Sequence, residues 1–150
     1  MRTLCVVPCG KTKIWDKHPG AGPTVAKEVY LGPFAKKCRE YAERFHPSSW
    51  CILSAKYGFL FPDDEVPRPY NVSFNDRKTN PIKVEDLWAQ ATKKGLNVHE
   101  EIVVLGGRIY THMVKEVFPK ADIFAPLSHC GGIGYMMKEL KEAINRGSPL

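Results

Sequence analysis

A hydroxyl, an amine and a phenol follow one apolar run of the chain. Ser54, Lys56 and Tyr57 come directly after that run, and the pair Asp63-Asp64 and Tyr70 lie a little further on. Ser54 could donate a hydrogen bond to a substrate, and Tyr57 or Tyr70 could stack on a nucleobase. One of the aspartates, Asp64 foremost, could act as a general base or orient a water. The structural alternative is a turn capped by Ser54, a core Tyr57 and an Asx turn at the aspartates.

A thiol and two amines follow the first apolar run. Cys9 stands beside a glycine at a predicted strand end, where a thiol could be exposed and reactive. Lys11 and Lys13 come shortly afterwards in the same predicted loop. A lysine there could bind phosphate as a point charge, or act as a nucleophile if burial lowers its pKa. Solvated surface lysines are the common alternative.

Two glycine-rich turns have the composition of anion sites. Gly131-Gly132-Ile133-Gly134 lies between a predicted strand and a helix, where free backbone N–H groups and the helix dipole attract an anion. Gly106-Gly107 has the same position and is followed by Arg108, whose guanidinium can hold phosphate or carboxylate through two hydrogen bonds. Neither spacing is that of a dinucleotide-binding motif or a P-loop. Both are also explained by tight turns that need a positive φ angle.

The histidines do not have the spacing of a metal site. None of the five belongs to an H-x-x-x-H or H-E-x-x-H pattern, so we expect neither a metal nor a cofactor. His129 is followed by Cys130 at a predicted strand end, and such a thiol–imidazole pair could support nucleophilic catalysis.

Four short apolar runs must position these side chains. They are typical of strands buried on both faces, and they alternate with segments of helical spacing. The runs are residues 4–8, 50–54, 102–105 and 123–125. This order predicts a single α/β domain over residues 1–150, a three-layer α/β/α sandwich with a mainly parallel sheet of about four strands. Ligands of such sheets bind beyond the carboxyl ends of the strands, so we expect Cys9, Ser54, Gly106 and Gly131 at one edge.

Two loops separate the predicted elements. Residues 11–22 contain two glycines and a proline and are predicted as a loop, and a short helix is predicted over residues 24–30. Residues 61–81 contain four prolines and little periodicity. A structureless stretch of that length usually has a function or is mobile.

The composition favours an anionic partner. The 150 residues include 22 Lys and Arg against 16 Asp and Glu, which gives a net charge of +6 and an isoelectric point of about 9.1. This excess favours a nucleotide or a nucleic acid, DNA or tRNA, as the partner. The five cysteines form an odd set without a C-x-x-C pair, and no apolar run is long enough for a membrane span. We therefore expect a reduced, cytoplasmic protein with no membrane partner.

Two motifs resemble known families. Leu53-Ser54-Ala55-Lys56-Tyr57-Gly58-Phe59-Leu60, continued by Pro62, Asp64 and Pro69-Tyr70, resembles the L-S-G/A-x-Y-G-L/V-L-x-P-x-D pattern of the YaaA family of peroxide-stress proteins, which runs into a Pro-Tyr. Pro8-Cys9-Gly10-Lys11-Thr12-Lys13 is similar to the P-C-S-x-x-K element of the archaeosine synthase core domain, with Gly10 in place of Ser. It is also similar to the S-P-A-K start of YaaA proteins. The chain thus resembles a small stand-alone member of this superfamily.

The resemblance implies a nucleobase site. Archaeosine synthase acts on a modified 7-deazaguanine in transfer RNA, and the matching motifs place Cys9, Lys13, Ser54 and Tyr57 in the corresponding site. The Pro-Tyr that follows the lysine in the archaeosine element is Ile14-Trp15 here, so the motif does not bring the same reaction with it. The chain is also shorter than YaaA proteins and has no evident counterpart of their DNA-binding helical hairpin.

Three functions are compatible with these residues. The first is an enzyme that acts on a nucleobase, nucleotide or nucleic acid, at the base or the glycosidic bond, such as a modifying transferase or a glycosidase. The alternative is a non-catalytic DNA- or RNA-binding protein of the YaaA stress-protein type. Its binding should depend steeply on salt and survive mutation of Ser54 or Asp64. The third is a small regulatory or scaffold domain that binds a protein, which no residue pattern excludes.

Overall fold

The computed structural model describes residues 2–150, which contain seven strands and six helices. The strands are β1 Thr3–Pro8, β2 Thr24–Val25, β3 Trp50–Ser54, β4 Gly58–Leu60, β5 Glu65–Val66, β6 Glu101–Val104 and β7 Asp122–Phe124. The helices are α1 Ile14–Lys17, α2 Ala26–Val29, α3 Pro33–Phe45, α4 Val84–Lys93, α5 Arg108–Val117 and α6 Ile133–Arg146. Two short 3₁₀ turns occupy Arg77–Thr79 and Leu96–Val98.

The central sheet has five strands in the order β4-β3-β1-β6-β7. The strands β3, β1, β6 and β7 are parallel to one another, and they correspond to the four predicted runs. The predicted α/β class with a mainly parallel sheet is therefore confirmed. The fifth strand, β4, was not predicted. It is antiparallel to β3 because the chain reverses in a tight hairpin, in which Ser54 faces Gly58.

Helices cover both faces of this sheet. Side chains alternate between the faces of a strand, and in β1 Cys5 and Val7 pack toward α2, α3 and α6, whereas Leu4 and Val6 pack toward α4 and α5. Each face thus has its own cluster of buried apolar side chains. The result is the expected three-layer α/β/α arrangement.

Prolines and glycines set several helix ends as predicted. Pro33 is the first residue of α3, and its fixed φ angle suits that position. Gly95 follows α4 and Gly147 follows α6, both with a φ of 72°. That left-handed backbone closes a helix and is most accessible to glycine.

Three predicted segments differ from the structure, and one of them is the predicted structureless stretch 61–81, which contains β5 and the 3₁₀ turn Arg77–Thr79. Residues 24–30 were expected to be a helix, but Thr24–Val25 forms β2 and pairs with β5, and only Ala26–Val29 is helical. Two β-branched residues favour the extended backbone at this point. The predicted loop 11–22 contains α1, whose start is fixed by Asp16, since its carboxylate accepts the Lys13 backbone N–H at 2.8 Å.

The chain direction creates a crevice beside β1. From β1 the chain continues to α3 on one face, whereas from the neighbouring β6 it continues to α5 on the other face. Connections that leave adjacent parallel strands toward opposite faces open a crevice at their carboxyl ends, and ligands bind there.

Two searches of residues 2–150 gave negative results. No helix there has both the length and the apolar character that crossing a membrane requires. No group of three or more His, Cys, Asp or Glu side chains in the same residues is arranged to hold a metal ion.

Candidate functional site

A chamber of about 460 Å³ opens at the carboxyl end of β1. Its walls come from three segments that are far apart in the sequence, namely the start of the loop after β1, the loop 71–79 and α5. The lining residues are Cys9, Gly10, Lys11, Lys13, residues 71–76, Thr79 and Tyr110. The volume is within the range of small-molecule sites, roughly 300–1,000 Å³. We refer to this cavity as the chamber.

Lys13 places a buried amine on the chamber wall. Only 6% of the residue is exposed. Its Nζ donates one hydrogen bond, to the Lys11 carbonyl at 3.1 Å, and lies 4.4 Å from the centre of the Tyr70 ring. No salt bridge within residues 2–150 involves this amine. Burial lowers the pKa of Lys13, although Cys9 and Asp16 act in the opposite direction. The neutral amine is therefore more accessible here than at a surface lysine.

A chain of hydroxyl groups lies behind Lys13. The Tyr70 hydroxyl is 2.8 Å from Ser54 Oγ and 2.5 Å from the Tyr30 hydroxyl. Ser54 Oγ also accepts the backbone N–H groups of Lys56 and Tyr57 at 3.2 and 3.1 Å. With both acceptor positions used, its own proton is available for Tyr70. Burial is the main cause that raises the pKa of Tyr70 to about 12, so this phenol stays protonated.

This arrangement changes the interpretation of Ser54. The sequence suggested a direct hydrogen bond from Ser54 to a substrate, but the side chain is fully buried and its partners are all within the protein. It lies behind Tyr70 because β3 is covered on both faces up to its last residue. Ser54 therefore caps the hairpin turn, as the structural alternative had it, and fixes the position of Tyr70.

Tyr57 and Lys56 flank the same phenol. The rings of Tyr57 and Tyr70 are nearly perpendicular, at 87°, with centres 5.4 Å apart. Lys56 is exposed, and its Nζ lies 5.8 Å from the centre of the Tyr70 ring. Two lysines thus approach one aromatic ring, Lys13 from inside the chamber wall and Lys56 from solvent. A direct contact of Tyr57, Lys56 or Tyr70 with a ligand stays a prediction.

Cys9 and Tyr110 line the chamber together, and Cys9 is only 5% exposed, rather than open to solvent as its place beside a glycine suggested. The Cys9 sulfur lies 3.4 Å from the Tyr110 hydroxyl, and the Tyr110 ring meets Phe74 edge-on at 5.6 Å. Burial raises the pKa of Tyr110, and the neighbouring Cys9 adds to this effect. The phenol therefore keeps a proton that it can donate to the sulfur.

Gly106 makes this contact possible. It has a φ of 127°, and a Cβ atom at this position would lie 3.2 Å from Tyr110 Cδ2 and 3.4 Å from Pro8 Cβ. The turn with a positive φ angle, which the sequence offered as one explanation of Gly106, is present. Gly107 follows as the residue that precedes the first turn of α5.

The loop 71–79 closes the outer side of the chamber and is folded on itself. The Thr79 hydroxyl accepts the Ser73 N–H at 3.0 Å, and Asp76 accepts the Lys78 N–H at 3.0 Å. Asn71, Asn75 and Asp76 contribute polar side chains to the lining of the chamber. The sequence predicted that residues 61–81 have a function or are mobile, and it did not assign a site role to these residues or to Tyr110. The cluster of amides and a carboxylate in this loop was the signal that could have identified them.

Asp64 is not brought to the chamber. Because β4 runs back along β3, the residues after Leu60 lie toward the opposite edge of the sheet, where Asp63 shares a groove with Leu4 and Trp50. The Asp64 carboxylate accepts the Phe61 N–H at 2.8 Å and pairs with Lys94 at 3.6 Å. The placement corrects the expectation of a general base beside Ser54, and Asp64 closes a turn instead.

Gly58 is enclosed rather than open to a ligand. It has a φ of 76°, and a Cβ atom here would overlap the side-chain amide of Gln90. The Gln90 amide accepts the Phe59 N–H and donates to the Tyr57 carbonyl, both at 2.9 Å. Gly58 therefore serves the hairpin and its packing against α4.

A second, more open cavity of about 900 Å³ adjoins the chamber, and we refer to it as the basin. Gly10, Lys11, Asn75 and Tyr110 line both cavities. The other basin residues are Pro8, Thr12, Gly32, Pro33, Phe34, Ala35, Gly107, Arg108, Ile109, Ile133, Met136 and Met137. The predicted anion residues Lys11, Gly107 and Arg108 thus meet at one surface.

The glycines at the start of α6 do not have the backbone expected of a tight turn. Gly131, Gly132 and Gly134 are not among the glycines with a positive φ angle, and Gly132 is fully extended, with a φ of 179°. The positive-φ explanation is therefore wrong for these three residues. Gly132 is the residue before the first turn of α6, and no side chain caps this helix end. The backbone N–H groups of the first turn of α6 are therefore free of a side-chain partner.

Cys130 lies outside the chamber. It lines a separate cavity of about 310 Å³ together with Arg108 and His112, and its sulfur is 3.8 Å from His129 Nε2. Partial burial, followed by Glu139, raises the pKa of the Cys130 thiol. A raised pKa opposes the thiolate that nucleophilic catalysis needs.

Comparisons with known proteins give a family and a relative of this chain, and neither description includes an activity. A family model described as "Family of unknown function (DUF6884)" matches residues 4–142. The chain is similar to "Uncharacterized protein YfjM" of Bacillus subtilis (strain 168), with 43% identity over 145 residues that cover 96% of each chain. No solved structure matches.

Proposed function

The chain belongs to DUF6884, a family of unknown function, and we propose that it is an enzyme that acts on a nucleobase, nucleotide or nucleic acid, at the base or the glycosidic bond. The main support is the Lys13 amine, which is buried and forms no salt bridge within residues 2–150, on a chamber wall that also includes Cys9. Burying an ionisable group without an ion-pair partner costs free energy, and groups with shifted pKa values are more frequent at functional sites.

Two reactive atoms are available in this chamber. The Lys13 amine, in its neutral form, can attack an electrophilic carbon or accept a proton, and in its charged form it can hold an anionic group. The Cys9 thiol is the second nucleophile, and the Tyr110 hydroxyl at 3.4 Å is placed to exchange a proton with it. Cys9 and Lys13 are the residues to which we assign the chemistry.

Recognition of a base is consistent with the remaining walls. Amide and carboxylate groups of Asn71, Asn75 and Asp76 offer both donors and acceptors for the polar edge of a base. Phe74 and Tyr110 provide aromatic surface, on which bases stack irrespective of sequence.

The resemblance of the first loop to the archaeosine synthase core supports the same proposal. Its cysteine and lysine match Cys9 and Lys13, which line one chamber. Residues Ser54 and Tyr57 of the second motif support it indirectly, because Ser54 holds Tyr70 beneath Lys13. All five cysteines are free thiols, so we place this activity in a reducing compartment such as the cytosol.

The first test is a ligand and turnover screen. Nucleosides, nucleotides, 7-deazapurine bases, single-stranded DNA and tRNA are added to the protein, and the unfolding temperature and the products are measured. We expect at least one of these classes to raise the unfolding temperature and to be converted. No shift with any of them, together with no turnover on DNA or tRNA, would remove the proposal.

Variants of the two reactive residues test the assignment of the chemistry. Lys13→Arg keeps a positive charge that cannot be removed at neutral pH, so we expect binding to persist and turnover to fall by about a hundredfold or more, as for loss of a proton-transfer group. Cys9→Ser should also reduce turnover. Lys120→Arg and Cys130→Ser are matched controls outside the chamber, and full activity in Lys13→Arg would refute the role of its amine.

A second candidate is a non-catalytic nucleic-acid-binding protein. The observation in its favour is that Lys11 and Arg108 are exposed and form no salt bridge within the described residues 2–150. This candidate predicts that the logarithm of the affinity for nucleic acid falls steeply with the logarithm of the salt concentration. It also predicts that Lys13→Arg and Cys9→Ser bind nucleic acid as the wild type does, and that neither the wild type nor the variants show turnover.

A further inference from the structure

The basin is a cationic surface without a compensating carboxylate. Lys11 and Arg108 line it, and none of its other lining residues is Asp or Glu. Neither cation belongs to a salt bridge in the part of the chain that the structure describes, residues 2–150. A surface of this kind attracts an anionic partner and repels a cationic one.

The floor of the basin is apolar. Phe34, Ile133, Met136 and Met137 line it, and Ile133, the first residue of α6, is 59% exposed. An apolar floor beside cations suits a partner that has a flat aromatic ring and a phosphate close together. A nucleotide has both groups within one residue of its chain.

The basin and the chamber adjoin one another. Gly10, Lys11, Asn75 and Tyr110 line both, so a ligand in one cavity and a ligand in the other would contact the same four residues. The helices α3, α5 and α6 also begin at the basin, and none of their first turns is capped by a side chain. Their free N–H groups add to the positive potential of Lys11 and Arg108.

We propose that the basin holds the nucleotide next to the one whose base enters the chamber, so that the substrate is a single-stranded polynucleotide rather than a free base or mononucleotide. This inference rests on the proposed function, because it takes the chamber as the site of the reacting base. Arg108 and Lys11 bind the phosphate between the two nucleotides, and the neighbouring base lies on Ile133, Met136 and Met137.

Binding of oligonucleotides of increasing length tests the proposal. Fluorescently labelled single-stranded hexanucleotides of mixed sequence, as DNA and as RNA, are titrated in parallel with 5′-mononucleotides. We expect the hexanucleotide that binds more tightly, DNA or RNA, to bind at least about tenfold more tightly than any mononucleotide. One additional stacked base increases the affinity by about this factor. Comparison of the DNA and RNA arms then shows which polynucleotide is preferred.

Two variants locate the binding in the basin. Arg108→Gln should weaken hexanucleotide binding and reduce the slope of log affinity against log salt by about 0.7, the value for one phosphate contact on a single strand. Ile133→Asp should weaken it by about tenfold or more, through the lost stacking surface and the added negative charge. An aspartate in the first turn of a helix is favourable for folding, so this variant should remain folded.

Matched controls use the opposite edge of the sheet. Lys120→Gln removes a charge, and Val98→Asp removes an exposed apolar side chain. Both residues lie in a groove that is far from the carboxyl end of β1. Both variants should bind the hexanucleotide as the wild type does. The unfolding temperature of every variant is measured first, so that a folding defect is not taken for a binding defect.

Other outcomes overturn the proposal in distinguishable ways. Equal affinity for mononucleotides and hexanucleotides would overturn the role of the basin and leave the proposed function standing. If Ile133→Asp instead converted a dimer to a monomer without changing hexanucleotide binding, a second copy of this chain would be the occupant. Failure of all nucleotides and oligonucleotides to bind would overturn both the proposed function and this inference.

Discussion

The two edges of the central sheet differ in how their charged groups are paired. At the edge where β1 begins, Thr3 bonds to Glu101 at 3.2 Å, and Lys94 pairs with Asp64 at 3.6 Å. At the edge where β1 ends, the Lys13 amine is buried with one backbone carbonyl as its partner, and Arg108 has no ion pair within residues 2–150. The charged groups named at the first edge have partners within the protein, whereas Lys13 and Arg108 at the second edge form no salt bridge within residues 2–150.

Exposed apolar surface does not make this distinction. The edge where β1 begins has its own groove of about 710 Å³, with Trp88 54% exposed and Val98 50% exposed. That groove contains Glu100 and Asp122 beside Lys120, so its charges are mixed. Cations that form no salt bridge within residues 2–150, rather than cavity size, therefore distinguish the edge where β1 ends, which is the edge where we propose the function. The following substitutions test this distinction with one residue from each edge, from the largest expected effect to the smallest.

Gly106→Ala should have the largest effect. Two features oppose a side chain here, the φ of 127° and the Tyr110 Cδ2 atom, which would lie 3.2 Å from the alanine methyl group. We expect a loss of about 3 kcal/mol in the free energy of unfolding. Gly95→Ala at the other edge meets no atom within 4 Å and has only its φ of 72° to overcome, a cost of about 1 kcal/mol. Urea unfolding measures both, and equal losses would contradict the crowding of Tyr110 by residue 106.

Ser54→Ala should come next. It removes the hydroxyl that holds Tyr70 and leaves the buried N–H groups of Lys56 and Tyr57 without a partner, a loss of about 2 kcal/mol. Ser49→Ala, which removes a bond to the Thr3 carbonyl, should cost about 1 kcal/mol. Ligand binding measured by thermal shift should weaken only in Ser54→Ala. Unchanged binding there would show that Tyr70 does not need Ser54 for its position.

Two lysine substitutions should have effects of opposite sign. Burial lowers the pKa of Lys13 below the value of an unfolded chain, so its charged form costs stability at pH 7. That cost is present below the folded-state pKa and fades as pH rises toward 10.5, the ordinary value for lysine. Lys13→Met should therefore raise the unfolding temperature at pH 7 by about 2–4 °C, and the gain should shrink with increasing pH.

Lys94→Met is the comparison for that experiment. It removes the partner of Asp64 and the donor to the Phe59 carbonyl, so the unfolding temperature should fall. Scanning calorimetry from neutral to alkaline pH measures both variants. A fall in both would mean that Lys13 is paired in solution as Lys94 is, and the contrast between the edges would be lost.

Lys56→Met should have the smallest effect. The side chain is exposed, and its Nζ is 5.8 Å from the Tyr70 ring, so stability should change by less than about 0.5 kcal/mol. Affinity for an anionic ligand should fall by a few-fold at low salt and be unchanged at high salt, because an exposed charge is screened. A loss that persists at high salt would instead indicate a direct contact with the ligand.

The dense apolar runs predicted the parallel part of the sheet. A strand that is covered on both faces has apolar residues at nearly every position, so it is visible in the sequence as a continuous apolar run. The hairpin strand β4 was not predicted. It has only three residues, and they belong to the segment after Ser54 that was considered for its reactive side chains and not for strand structure. That single omission also misplaced Asp64, since a reversal of the chain sends the following residues to the other edge. Similarly, Tyr110 and Asn75 reach the chamber only through long-range folding.

The sequence by itself determined where the four parallel strands lie, that Pro33 begins a helix while Gly95 and Gly147 end helices, and that Cys9 and Lys13 follow β1 closely. These features depend on local backbone preferences and on the nearest neighbours along the chain. Only the tertiary structure decided that the Lys13 amine is buried over Tyr70 and that Ser54 acts from behind it. Burial and partnership of a polar group depend on segments far apart in the chain, and no local pattern specifies them.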